Sequence, residues 1–168
     1  MLNFITRFFS VNPTAKAQRD QFRNYFFTMP EHQWFDECTK DHFEKLITHL
    51  PVGVLTHLMT KEPLHFIPAR DFSPENDRRS CIVIFPEFEN LLKSKSAAAV
   101  AFVAQEVALL LLEAEEPEMD ELTRELEADK FVADLGFTFE LEELLFMLDE
   151  SVEKRLRLSY LTCHHFSN

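Results

Sequence analysis

Glycine is scarce in this chain: 2 residues in 168, Gly53 and Gly136. That leaves no glycine-rich loop to cradle a phosphate, and it argues against a turn-rich β fold, whose tight turns need residues free to take positive φ. Cysteine is thin as well. Cys38, Cys81 and Cys163 are too few, and odd in number, for a disulfide framework, so a reducing, cytoplasmic setting is expected. Positive charge is short too: 17 Lys and Arg against 29 Asp and Glu give a formal net charge of -12, which excludes the basic footprint of a nucleic-acid binder. A membrane-length apolar run is missing. The most apolar stretch, 97–112, carries Gln105 and Glu106 at its middle and falls short of the roughly 20 residues a bilayer span needs. Residues 1–9 are apolar, but Arg7 interrupts them, and Asn12-Pro13 follows without a small-residue cleavage pattern. A short amphipathic helix, packed on the core or touching a membrane surface, is expected there rather than a signal peptide.

What is present is a core. Hydrophobic residues make up 46% of the chain, with 18 Phe, enough for one domain over 1–168. Acid is concentrated: residues 113–153 hold 16 Asp and Glu against Arg124 and Lys130, a net of -14, so the remainder is +2. Solvated helix faces account for such a run, and a docking face for a basic partner is the sharper alternative. Apolar spacing predicts a helix over 14–28, stopped at Met29-Pro30, and a second helix or pair of turns over 31–50, stopped by Pro51. These form a helical extension over 1–50. Three short strands are expected next, at 52–59, 64–68 and 81–85, with a polar loop over 71–77. From Glu87 onward the pattern is helical: a short turn at 88–92, a buried helix over 94–112, and a helix over 119–135 ended by Gly136. The last two helices are expected over 141–148 and 152–166, with Asp149 or Ser151 as the cap between them.

Two of these helices carry a recognisable order of residues. Residues 102–112 read Phe-Val-Ala-Gln-Glu-Val-Ala-Leu-Leu-Leu-Leu. Residues 125–136 begin Glu-Leu-Glu-Ala-Asp and end Leu-Gly. A strand closed by proline, a long apolar helix with a central Glu, a short loop, then Glu-x-x-Ala-Asp and Gly resembles the gluzincin group of HExxH zinc metallopeptidases. It is closest to the small minigluzincins. Near the C-terminus, Arg157-Leu158-Ser159-Tyr160-Leu161 is similar to an Arg-hydrophobic-x-x-Leu segment in relatives of the CaaX-prenyl-protease type. The resemblance covers residues 50–161 and implies a gluzincin-like core over 51–168. Its fold would be α+β, predominantly α, with the three-stranded sheet packed on a buried active-site-type helix and a glutamate helix after it.

In such an enzyme two histidines four apart on one helix face bind zinc, and the glutamate beside the first polarises the zinc-bound water. Here Gln105 and Leu109 stand where the resemblance puts the histidines, and only Glu106 remains. Leu109 has no lone pair, and Gln105 offers a neutral amide oxygen, a poor zinc ligand. Glu125 would be the one strong ligand left, so neither metal nor cofactor is expected and Gln105, Glu106, Leu109, Glu125 and Asp129 become a vestigial site. No other histidines rebuild it. His57 and His65 fall on the expected strands, and Cys163, His164 and His165 point about 100° apart on a helix. If the two helices pack as in the family, Glu106, Glu125 and Asp129 face one region without a cation. Burying them unpaired is costly. Arg157, whose segment resembles the one that returns to the active region in the family, is the residue expected to pair with Asp129 or Glu125, with Arg155 as fallback.

The expectation that follows is an inactive metallopeptidase-like domain that binds a protein or peptide, a basic one if the acidic half is a docking face. The substrate cleft of the family, where a peptide is added as a strand, is the natural place for it. An enzyme with a relocated metal or a non-metal mechanism is one alternative, and a plain structural or assembly module is another.

Overall fold

The computed structural model describes residues 15–60, 64–73 and 81–165. The expected amphipathic segment at 1–9 lies outside them, as does most of the polar loop at 71–77. The fold is α+β and mainly α: α1 (Ala15–Thr28), a 3-10 turn (Pro30–His32), α2 (Glu37–His49), α3 (Val52–Thr60), β1 (His65–Pro68), β2 (Cys81–Ile84), α4 (Pro86–Leu92), α5 (Ala98–Glu115), α6 (Glu121–Asp134), α7 (Thr138–Met147) and α8 (Val152–His165). Packing divides the chain into two compact units, one up to Ser94 and one from Lys95.

The first unit is built on phenylalanine. Phe43 of α2 stacks on Phe35 at 4.7 Å and meets Phe26 of α1 at 5.0 Å and Phe66 of β1 at 4.7 Å. All four rings are buried. Asp36 caps α2 by accepting from the Thr39 amide at 2.8 Å. His32 is a core histidine satisfied on both sides. Its Nδ1 donates to the Phe26 carbonyl at 2.8 Å and its Nε2 accepts from the Phe66 amide at 3.1 Å. Burial, aided by the neighbouring His65, pushes its pKa down to about 4.

The sheet departs from expectation. Among the described residues it has two strands, β1 and β2, paired in parallel with His65 opposite Cys81 and Pro68 opposite Ile84. The segment expected as the other strand is helix α3, so His57 lies on a helix, whereas His65 does lie on a strand. The buried residues of α3, Val54, Leu55 and Leu58, are spaced for one helix face rather than for alternation. Pro51, read as a stop for the preceding helix, also starts this one: its carbonyl accepts from the Val54 and Leu55 amides.

The second unit is four helices. Helix α5 is buried along most of its length, from Ala98 to Leu112, and ends where Glu116 leaves helical geometry before Pro117. Asp120 caps α6 through the Thr123 amide at 3.1 Å. Gly136, at φ 88°, ends α6: its amide bonds the Ala133 carbonyl and the Phe137 amide bonds the Val132 carbonyl. Helix α7 starts at Thr138, one turn earlier than expected. Ser151 is the cap of α8, accepting from the Lys154 amide at 3.0 Å. Buried Lys154 reaches back to the Leu148 carbonyl at 2.8 Å, a cation at the carbonyl end of α7. No helix among the described residues is long and apolar enough to cross a membrane.

Candidate functional site

Helix spacing sets the site. Gln105 and Leu109 are four residues apart and share one face of α5, and Glu125 and Asp129 do the same on α6. On α8, Lys154 and Arg157 are three apart and both buried, so the register that docks α8 sends Arg157 inward. Arg155 falls on the opposite side, 73% exposed and 3.7 Å from Glu150.

These faces meet in a polar cluster inside the second unit. Arg157 donates to both oxygens of Asp129, from Nε and from one terminal nitrogen, each at 2.7 Å. Its other terminal nitrogen lies 2.7 Å from Glu125 Oε2. Gln105 Nε2 donates to the same Glu125 oxygen at 2.9 Å and to Asp129 Oδ1 at 3.3 Å. The amide orientation follows from its neighbours, since the amide oxygen turned toward two carboxylates would be repelled. Asp129 has no solvent exposure, the Arg157 side chain 6% and Glu125 21%. Arg157 thus reaches both carboxylates that the sequence offered it.

Protonation follows from burial and charge. Burial lifts Asp129 and Glu125 above the ordinary carboxylate range, with Arg157 pulling both down and Asp129 adding to the rise of Glu125. Burial would lower Arg157, but Asp129, Glu125 and Glu153 outweigh it and raise its pKa. The partners therefore pull opposite ways, and geometry decides. Both Asp129 oxygens accept from N–H groups, which is the arrangement of an ionised carboxylate.

Glu106, next to Gln105 and half-buried, makes no hydrogen bond or ion pair among the described residues. Burial first, then the charge on Glu125, pushes its pKa up to about 7. The Arg157 guanidinium thus balances charge on Glu125 and Asp129, and burial disfavours a further full charge on Glu106.

The structure brings Gln105, Glu125, Asp129 and Arg157 together, and Glu106 lies near enough to Glu125 to feel its charge. Leu109, half-buried on the Gln105 face, adds no polar atom. Among the described residues no group of three or more His, Cys, Asp or Glu is placed to hold a metal ion. The side chains of His164 and His165 fall outside what the structure describes. The sequence reading treated Gln105 only as a poor ligand and missed it as a donor. The available signal was a side chain with two N–H groups facing two carboxylates spaced i, i+4 on the following helix. The chain matches no protein-family model, no curated protein and no solved structure.

Proposed function

We propose that this protein is a metallopeptidase-like domain of gluzincin type that has lost its catalytic centre and acts by binding a protein or peptide. The observation that carries the reading is the engagement of Glu125 and Asp129 by N–H groups of Arg157 and Gln105. In an active gluzincin the glutamate at the Glu125 position is a zinc ligand. Here a guanidinium supplies the positive charge, and Gln105 and Leu109 supply no imidazole. A hydrolytic zinc centre needs three protein ligands and a water, and these residues do not make that set.

Binding by strand addition is supported by the outer side of β2, with which no strand pairs among the described residues. Parallel pairing alternates outward groups along a strand. Since the Ala69 amide bonds the Ile84 carbonyl, the Val83 N–H and C=O point away from β1. Val83 is half-exposed and Phe85 is 54% exposed. The far edge of β1 is closed at Phe66, whose amide donates to His32 and whose carbonyl accepts from Trp34 at 3.1 Å. Among the described residues nothing pairs with that side of β2, and a peptide strand could join there.

The family reading is tested by restoring histidines. Gln105→His with Leu109→His, in a background where Arg157→Ala frees Glu125, is expected to bind zinc at micromolar concentration or better and to melt higher when zinc is added. A folded triple variant with no zinc affinity would remove the gluzincin alignment.

An enzyme without metal is the second reading: burial and the charge on Glu125 push Glu106 up to about 7, the range suited to a general base near neutrality. A hydrolase of that kind loses all turnover of ester or peptide substrates in Glu106→Gln, and absence of any such turnover in the parent protein rejects it.

A further inference from the structure

The first unit holds a cleft of about 460 Å³, lined by Pro30, Glu31, Trp34, Ile67, Pro68 and Asp71, within the roughly 300–1,000 Å³ typical of small-ligand sites. Its parts come from the 3-10 turn and from β1 with the turn that follows it. Trp34 is held in place. Its indole N–H is committed to the Phe66 carbonyl at 3.1 Å, and its ring meets Phe35 edge-on at 4.7 Å. What it offers the cleft is therefore apolar ring surface rather than a hydrogen-bond donor. The two ionisable side chains in the lining are both acids. Glu31 is 20% exposed, 3.9 Å from His65, and Asp71 is 60% exposed, 3.6 Å from the exposed Arg70.

We propose that this cleft receives the side chain of a basic residue, arginine or lysine, presented by a peptide or protein partner. The chemistry selects that class. An anionic ligand meets two carboxylates and is repelled. A wholly apolar ligand would strip water from Glu31 and Asp71 with nothing in return. An arginine or lysine side chain has an aliphatic stem that covers Pro30, Pro68 and Ile67, and a cationic head that is attracted to the Trp34 face and to the carboxylates. An arriving guanidinium also takes over from Arg70 at Asp71, an exposed pair that is easily exchanged. The proposal rests on the binding reading above for the partner being a peptide, and it identifies the residue type that partner presents.

Trp34 is the only tryptophan in the chain, so its emission reports this cleft alone. The 168-residue chain is titrated with a capped pentapeptide of four alanines around a central arginine, and with the same peptide carrying citrulline, the neutral isostere, or proline. Saturable change in Trp34 emission is expected with the arginine peptide. Its affinity should be about tenfold or more above that of the citrulline peptide and should fall as salt is raised. Asp71→Asn and Glu31→Gln should each weaken the arginine peptide while leaving the citrulline peptide unchanged. Asp71 is exposed enough that its variant keeps the parent emission spectrum before titration. Equal affinity for the arginine, citrulline and proline peptides overturns the proposal, as does insensitivity to Asp71→Asn, or no emission change up to millimolar peptide. None of these residues belongs to the Gln105–Arg157 cluster. Failure here leaves the zinc test above standing, and failure of the zinc test leaves this one standing.

Discussion

At Asp129 the chain buries a carboxylate completely and then supplies three N–H groups to hold it. A buried ion pair is weak evidence for stability, because desolvation offsets most of the Coulombic gain, but removing one partner strands the other. Arg157→Ala should therefore cost about 3–5 kcal/mol, and Arg157→Lys should recover only part of it, since an ammonium cannot reproduce the two-pronged contact. Urea denaturation followed by circular dichroism measures both, and an unchanged midpoint for Arg157→Ala would remove the clamp from this account. His32 and Glu106 give the pH dependence, with opposite signs. His32 titrates near 6.5 when unfolded and near 4 when folded, so its burial contributes stability above pH 6.5 that is lost as pH falls toward 4, about 3 kcal/mol in all. Glu106 titrates near 4.5 unfolded and near 7 folded, so it costs nothing at low pH and destabilises progressively as pH rises from 4.5 to 7, by at most about 3 kcal/mol. Glu106→Gln should accordingly be more stable than the parent above pH 7 and indistinguishable from it below pH 4.5, as read by denaturation at several pH values. The need for a cation followed from charge once the two helices were placed as in the family, and Arg157 was singled out by the likeness of its segment to the family's Arg-hydrophobic-x-x-Leu. The donor role of Gln105 was not legible, because the amide was judged as a ligand rather than as two N–H groups.

At the scale of elements, proline and glycine carried most of the legible signal. Gly136 was read as the stop of α6, and it is the one residue with positive φ among those described. Nothing lies within 4 Å of a methyl group placed there, so Gly136→Ala should cost about 1 kcal/mol through backbone conformation alone. Thermal melting checks this, and a neutral result would mean that α6 can end in another way. The turn expected at 88–92 is helix α4, begun by Pro86, and the most misread element is α3. Its β-branched start, Val52-Gly53-Val54, suggested a strand, whereas its burial pattern and its start at Pro51 are helical. A short apolar run does not reveal its period, and a proline that stops one helix is equally suited to begin the next. Strand pairing in parallel was beyond the sequence, because it depends on how the segment between β1 and β2 crosses.

At the scale of the molecule, mainly helical character followed from composition and from the long apolar periods after Glu87, while the division of packing at Ser94 has no linker-like composition to announce it. The acidic stretch 113–153 contributes a net of -14, so binding of a basic protein should weaken as ionic strength rises. Gln105 and Arg157 occupy the N–H side of Glu125 and Asp129, where a zinc ligand set would leave room for a metal. The direct measurement is zinc content, taken on protein equilibrated with zinc and then exchanged into zinc-free buffer, with melting temperature recorded with and without chelator. Zinc far below one equivalent per chain is expected, with a melting temperature that chelator does not change. About one zinc per chain, removed by Glu125→Gln and lowering the melting temperature on chelation, would contradict that expectation.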